Sequence, residues 1–249
     1  MSFMLRFLLV LSALCVGSQS VHAATEALTP EARYALGQKY MKRGYYQKAM
    51  EHFSVLRNSH RDNAFAVKAE LAIADVYYKQ GEYDLARVAY EDFTRLHPRN
   101  ADLDYAVFRL GLSYYRKASK VAARDQTWTQ QAVHSWANFD QRFPESEYGS
   151  DVQQAVAQGR NRLALKELRV ARFYANRRAW PAVVARLQPL LRRYPKSEDA
   201  PEAMGLLALA LVNTDAVEQA KEMATRLASD HSESAALQKL RNQAPQLFE

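Results

Sequence analysis

Two hydrophobic patterns divide the chain. Near the start, Arg6 precedes Phe7 to Val16 (FLLVLSALCV), a ten-residue block that is apolar apart from one Ser, and Gly17 to Ala23 (GSQSVHA) is polar and closes on small residues around His22. A basic residue, a short apolar block and a small-x-small site are the marks of a secretory signal cut after Ala23. The block is half the length of roughly 20 residues that a spanning helix needs, so it predicts export rather than an anchor. From Thr29 onward apolar positions recur at i, i+3, i+4 and i+7 with no sustained alternation. That period predicts helices throughout and no sheet.

The helical pattern repeats. Leu36-Gly37, Tyr40, Gly44, Tyr46, Ala49 and Phe53 form a first unit, and Ile73-Ala74, Tyr77, Gly81, Tyr83, Ala86, Tyr90 and Pro98 a second. A third holds Leu110-Gly111, Tyr114, Ala132, Trp136, Phe139 and Pro144, and a fourth Val170-Ala171, Tyr174, Trp180, Val183, Leu187 and Pro195. A degenerate fifth carries Leu211, Val217, Ala220, Ala224 and Leu227. These residues fall at the signature positions of the tetratricopeptide repeat, a helix-turn-helix unit of about 34 residues. Tyr40–Ala49, Tyr77–Ala86, Tyr174–Val183 and Leu211–Ala220 are each nine apart, and Ala86–Pro98, Ala132–Pro144 and Val183–Pro195 each twelve. The residue types have reasons: small side chains let the paired helices approach, Gly44 and Gly81 suit the tight turn, and the prolines stop the second helix. The expected fold is all-α, a solenoid of about five such repeats.

The organisation expected is a signal peptide over 1–23, a short linker over 24–30, repeats one to three over 31–146, and a long connecting helix with repeats four and five over 147–249. Tyr114 to Ala132 is eighteen residues, nine more than its equivalents, which places a polar insertion around Lys117 to Thr129 within the third repeat. The pattern between Pro144 and Tyr174 runs unbroken, predicting one extended helix near Glu147 to Ala175. Stacked repeats bury a shared core, so the two parts read as subdomains of one solenoid.

Composition narrows the function. The hydrophobic fraction of 48 % and charged fraction of 24 % are ordinary for a folded domain. Cys15 is the single cysteine, which excludes an intrachain disulfide framework and a cysteine zinc site. It is also the one candidate for lipidation, and Leu14 before it argues against that, because lipoprotein cleavage sites take Gly, Ala or Ser there. His22, His52, His60, His97, His134 and His231 are scattered, with no H-E-x-x-H, and no nucleophile elbow, P-loop or dinucleotide fingerprint appears. No metal, cofactor or catalytic residue is implied, and the expectation is a protein that is not an enzyme.

The net charge of +7 is concentrated. Between Arg160 and Lys196 lie eleven basic residues and one acidic residue, Glu167. At about 100° per residue, Leu163, Ala164, Val170, Ala171 and Tyr174 take one side of the long helix and Arg162, Lys166, Arg169 and Arg172 the other. Arg177, Arg178 and Arg186 extend this into a basic stripe on the outside of the fourth repeat, continued by Arg192 and Arg193. An acidic protein partner is the reading favoured, since arginine forms bidentate pairs at interfaces. Anionic lipid headgroups come second, and nucleic acid is set aside because an exported protein does not meet it.

The inner surface carries a different pattern. Concave positions of the first helix in each repeat hold Tyr34, Gln38 and Lys42, then Asp75, Tyr78 and Lys79, then Tyr115 and Arg116. Cations beside tyrosines suit an extended peptide with aromatic side chains and a free carboxylate. Cations in a last turn also complement the helix dipole, a second reason for Lys42, Lys79 and Arg116 to stand there. The Lys/Asn pair of carboxylate-clamp chaperone repeats is replaced by Tyr34 and Gln38.

Beyond the generic repeat positions, the chain resembles the BamD family of β-barrel assembly factors from about Tyr34 to Leu227. The resemblance rests on Asp102 to Tyr114 (DLDYAVFRLGLSY), the insertion with Arg124-Asp125-Gln126-Thr127, Phe143 to Tyr148 (FPESEY), Leu163 to Tyr174 (LALKELRVARFY) and Arg177 to Arg186 (RRAWPAVVAR). It implies a periplasmic adaptor at the inner face of the outer membrane, in contact with other assembly-complex components and the inner leaflet. Its first repeats would receive the C-terminal segment of unfolded outer-membrane proteins, and its last repeats would dock on the barrel subunit BamA, with Arg186 at the place of a family arginine implicated in that coupling. Two positions depart from the family: the residue before Cys15, and Arg178, where relatives often have Gly. The alternative is a Tol-associated envelope scaffold that coordinates division. Those relatives carry an N-terminal coiled coil, for which Ala24 to Pro30 supplies no heptads.

Overall fold

The computed structural model of the protein describes residues 28–59 and 63–249. The leader, Cys15, His60 and most of the 24–30 linker lie outside the described residues. Among the described residues the chain forms twelve α-helices and a closing 3₁₀ turn. Repeat one is α1 (Pro30–Lys42) and α2 (Tyr46–Ser59), repeat two is α3 (Ala64–Gln80) and α4 (Tyr83–Leu96). In repeat three, α5 (Leu103–Lys117) is followed by the insertion and by α6 (Thr127–Ser135) with the single turn α7 (Phe139–Arg142). Repeat four opens with the long helix α8 (Gly149–Ala175) and ends with α9 (Trp180–Arg193). Then come α10 (Ala200–Val212), α11 (Val217–Asp230), α12 (Ala235–Gln243) and the turn Pro245–Leu247.

Local chemistry explains the boundaries. Thr29 caps α1 through its hydroxyl, which accepts from the Ala32 amide at 3.2 Å, and Pro30 fits the first turn where no amide is needed. Asn63 and Ser234 cap α3 and α12 in the same way. The turn between paired helices takes one residue in the left-handed region. Gly44 (φ 78°) and Gly81 (φ 82°) do so as expected, and Arg178 (φ 55°) and Asp215 (φ 58°) adopt it at the equivalent positions of repeats four and five. The backbone geometry of the repeat therefore outlasts the glycine that suits it.

The core runs in series along the solenoid. Met41, Phe53, Leu56 and Val76 join repeats one and two, and Leu71, Tyr90, Phe93 and Ala106 join two and three. Val107, Trp136, Phe139 and Val152 tie repeat three to the start of α8. The largest cluster spans repeats four and five, from Ala164 and Leu168 through Leu187, Met204 and Leu227 to Leu247. Within repeats one and three the paired helices approach closely enough to need glycine: a Cβ on Gly111 would lie 2.1 Å from Trp136, and one on Gly37 would lie 2.6 Å from Phe53. Inside α9, Pro189 removes the amide that would bond the Ala185 carbonyl. The two residues share the wall of a small cleft of about 220 Å³ with Lys166 and Arg186.

Candidate functional site

The first helices of repeats one to three line the concave face. Lys42, Lys79 and Arg116 stand exposed in the last turns of α1, α3 and α5. Tyr34 leans on Phe53 and Phe65 with ring centroids 5.6 and 5.7 Å away, and its hydroxyl accepts from the Gln38 amide at 2.9 Å. Tyr78 is half-buried, and Arg116 Nε donates to its hydroxyl at 3.3 Å. That hydrogen bond holds the Arg116 pKa above its ordinary value.

Asp75 does not stand free in the groove. Its carboxylate accepts from the hydroxyls of Tyr90 at 2.5 Å and Tyr105 at 2.7 Å, and Arg109 Nε lies 3.8 Å away. Burial raises the Asp75 pKa, against the pull of the two tyrosine donors and Arg109. Arg109 was not singled out from sequence, although a lone arginine within the apolar run VFRLGL was a signal of a paired internal charge. The guanidinium lies 3.7 Å from the centroid of Tyr78 and Nε donates to Tyr90 at 3.2 Å. The groove floor is thus a tyrosine-braced ion pair rather than a row of separate groups.

Toward the N-terminal ends of the same helices the sign of the charge changes. A cavity of about 550 Å³ is walled by Tyr34, Tyr105 and Tyr148 with Asp75, Asp102, Asp104 and Glu147, and Lys68 is its one cation among the described residues. Sequence reading missed this acidic end, because Asp102, Asp104 and Glu147 belong to two elements that only the fold brings together.

The basic stripe is reorganised by packing. Arg162 does not face outward: its guanidinium stacks on Tyr115 at 4.5 Å, and it donates to the Tyr115 hydroxyl at 2.8 Å and the Ser119 carbonyl at 3.5 Å. Tyr115, expected as open groove wall, is therefore covered by the long helix. A residue of the stripe and a residue of the groove turn out to be one joint between repeats three and four. Arg172 pairs through both Nε and Nη2 with Glu202 on α10, on the rim of the inner cleft that holds Trp180, Leu206 and Leu209. Lys166 and Arg186 face α9's cleft together with Arg193 and Tyr194, and Arg186 reaches Glu167 at 3.4 Å. Arg169, Arg177 and Arg178 are exposed, with Arg177 lying 3.6 Å over the half-exposed ring of Phe173. Helical phase assigned these cations to one stripe, but α8 is flanked by repeat three on one side and α10 on the other. Each neighbour takes one arginine.

Helix pairs joined by left-handed turns define a tetratricopeptide-repeat scaffold. The chain belongs to the BamD family: residues 26–229 match the family described as YfiO, outer membrane lipoprotein. It is 30 % identical over 195 residues to the outer membrane protein assembly factor BamD of Neisseria meningitidis serogroup A, covering 75 % of this chain and 73 % of that one. To the Vibrio cholerae protein of the same name it is 28 % identical over 228 residues, covering 87 % and 94 %. The TPR2AB domain of yeast Sti1 superposes with a TM-score of 0.42 at 14 % identity, covering 86 % of this chain and 83 % of the domain. The protein is accordingly an outer membrane protein assembly factor of the cell envelope. Among the described residues no helix is long and apolar enough to cross a membrane.

Proposed function

We propose that the protein is a non-enzymatic periplasmic adaptor of the β-barrel assembly complex, holding a BamA-like barrel subunit with its fourth and fifth repeats and receiving nascent outer-membrane proteins in the groove of its first three. The observation that carries this reading is the row of exposed cations Lys42, Lys79 and Arg116 in the last turns of the first helices, with Arg116 bonded to the half-buried Tyr78, in a chain of the assembly-factor family. Extended segments from unfolded barrels carry aromatic side chains and end in a carboxylate, and those are the groups such a groove pairs. The partner surface on repeats four and five is supported by Arg169, Arg177, Arg178 and the Lys166–Arg186–Arg193 cleft, whose cations outnumber the nearby carboxylates. The same cations at the inner leaflet would favour anionic headgroups.

Pull-down of the mature protein on the periplasmic domains of its own organism's barrel subunit tests the docking surface. Capture by wild type, lost in Arg186→Glu while the helical circular dichroism is unchanged, is the result expected. No capture of the folded wild-type chain would overturn the adaptor reading. For the groove, the Lys42, Lys79 and Arg116 to Ala triple variant should weaken a barrel-derived C-terminal peptide, and unchanged affinity would leave those residues to the helix dipole alone.

A further inference from the structure

The insertion of repeat three is a built loop. Gln126, 0 % exposed, donates through its side-chain amide to the carbonyls of Ser119 at 3.1 Å and Val121 at 3.0 Å, and its Oε1 accepts from the buried Thr129 hydroxyl at 2.6 Å. The Ser119 hydroxyl accepts from the Val121 amide at 3.2 Å, and Ala118 and Ala122 are buried. A loop closed on a buried glutamine holds its outer residues in place. Those residues are Lys120, Val121 and Arg124, with Val121 47 % exposed. At the foot of the loop, Lys117 pairs with Asp84 of α4 and lies 4.0 Å from the ring centroid of Trp128.

Each repeat pairs antiparallel helices, so the turns after α1, α3 and α5 fall on one edge of the solenoid, and the insertion is the third of these turns. Arg116 bonded to Tyr78, and Arg87 lying 5.7 Å over Tyr114, tie the edges of repeats two and three together. The edge of repeat one carries the same device as Lys117 on Trp128: Lys48 lies 5.5 Å from Tyr40 and 5.9 Å from Tyr45, which is 56 % exposed. Residues 42–48, 79–84 and 116–125 hold three, one and four basic residues against none, two and one acidic. On the opposite edge, residues 97–104 and 142–148 hold two arginines against four carboxylates.

We propose that this edge of repeats one to three, led by the tip of the insertion, is a peripheral membrane-binding surface that seats on a bilayer with anionic phospholipid headgroups. Tyr45 and Val121 enter the headgroup layer, and Arg43, Lys48, Lys120 and Arg124 beside them meet the phosphates. Amphipathic rings and apolar tips flanked by Lys and Arg are the side chains an interfacial layer accepts. Each cation near such a surface contributes about fivefold to affinity. Screening over about 8 Å confines that attraction to the near edge, so the acidic edge does not cancel it. These side chains stand on successive turns, a footprint for a broad surface rather than for one anchoring side chain of a protein partner. Neither the peptide groove nor the partner surface of repeats four and five enters the assignment.

The test is co-sedimentation of the full mature chain with sucrose-loaded vesicles, one set of phosphatidylethanolamine with phosphatidylglycerol and one with phosphatidylcholine in place of the anionic lipid. Wild type should bind the anionic set about tenfold or more tightly than the uncharged one, and added salt should weaken it. Lys120→Gln with Arg124→Gln should lose about tenfold or more, and Tyr45→Ser with Val121→Ser about fivefold. All four positions are exposed, so the helical circular dichroism should be unchanged. Arg99→Gln with Arg142→Gln removes the same charge from the opposite edge and should bind as wild type does. Equal loss from the two charge pairs would overturn the edge assignment. Vesicle binding untouched by either edge variant would overturn it too, and would return leaflet contact to the cations of repeats four and five. No binding of the folded wild-type chain to either set would overturn the membrane reading and leave an acidic protein as the partner of this edge.

Discussion

Substituting Gly111 by Ala places one methyl group where the structure has no room. The added Cβ would sit 2.1 Å from Cε2 and 2.2 Å from Nε1 of Trp136, whose ring is 2 % exposed and packed with Val107, Phe139 and Val152. The indole cannot swing aside freely, because Nε1 donates to the Phe108 carbonyl at 3.2 Å. Forcing a methyl into a packed core costs about 1–3 kcal/mol, and loss of the indole hydrogen bond costs about 0.5–1.5 kcal/mol more. Alanine's better helix propensity offsets about 1 kcal/mol, leaving a net loss of about 0.5–3.5 kcal/mol. Gly205→Ala is the internal control: its nearest neighbour is the Ala236 carbonyl oxygen at 3.4 Å, so the propensity gain should leave stability unchanged or slightly raised. Urea unfolding followed by circular dichroism at 222 nm measures both. Gly111→Ala as stable as wild type would refute the claim that helix pairing in repeat three depends on that close approach.

Three further outcomes are expected. At Arg178, held at φ 55°, Gly should be neutral to about 1 kcal/mol more stable and Val about 1 kcal/mol or more less stable, read in the same unfolding assay; equal stability of Gly and Val would refute a strained turn. His52 stacks on Tyr40 at 5.5 Å with Nδ1 buried and without a hydrogen-bond partner among the described residues, and burial with Arg33 nearby lowers its pKa below 6.5. The unfolded chain then takes up the proton first, so His52's contribution is present above about pH 6.5 and is lost as pH falls through the depressed folded value. His52→Phe should flatten that part of a melting-temperature profile, and an unchanged slope would contradict the assignment. Mass spectrometry of the exported protein should find Ala24 at the amino terminus and no lipid, whereas a diacylglyceryl group on Cys15 would reverse the reading of Leu14.

The repeat architecture was legible because its signals are local. Nine- and twelve-residue spacings, small residues at the helix-pair contacts and prolines after the second helix each act within one unit, so counting along the chain finds them. The long helix was legible for the same reason, and α8 begins at Gly149, within two residues of its expected start. The surfaces were less so. Arg162 and Tyr115 are 47 positions apart and were assigned to different faces, yet they meet because α8 packs back on repeat three. A helical wheel gives the phase of a side chain and not the neighbour that occupies that direction. Asp75 was assigned to the concave side as a separate groove residue, but its partners Tyr90, Tyr105 and Arg109 come from two other helices, and the acidic cavity needs α3, α5 and the start of α8 together. At Arg178 and Asp215 the turn keeps its left-handed backbone without the glycine that would announce it.

The central claim is that one chain carries two independent binding surfaces on either side of α8. The most direct measurement captures the mature protein on immobilised periplasmic domains of the barrel subunit and then titrates a barrel-derived peptide with a free carboxylate. The account predicts that captured wild type binds peptide with its solution affinity, that Arg186→Glu loses capture and keeps the peptide, and that the Lys42, Lys79 and Arg116 to Ala variant does the reverse. Loss of both activities from either substitution in a folded chain, or of neither from both, would contradict it.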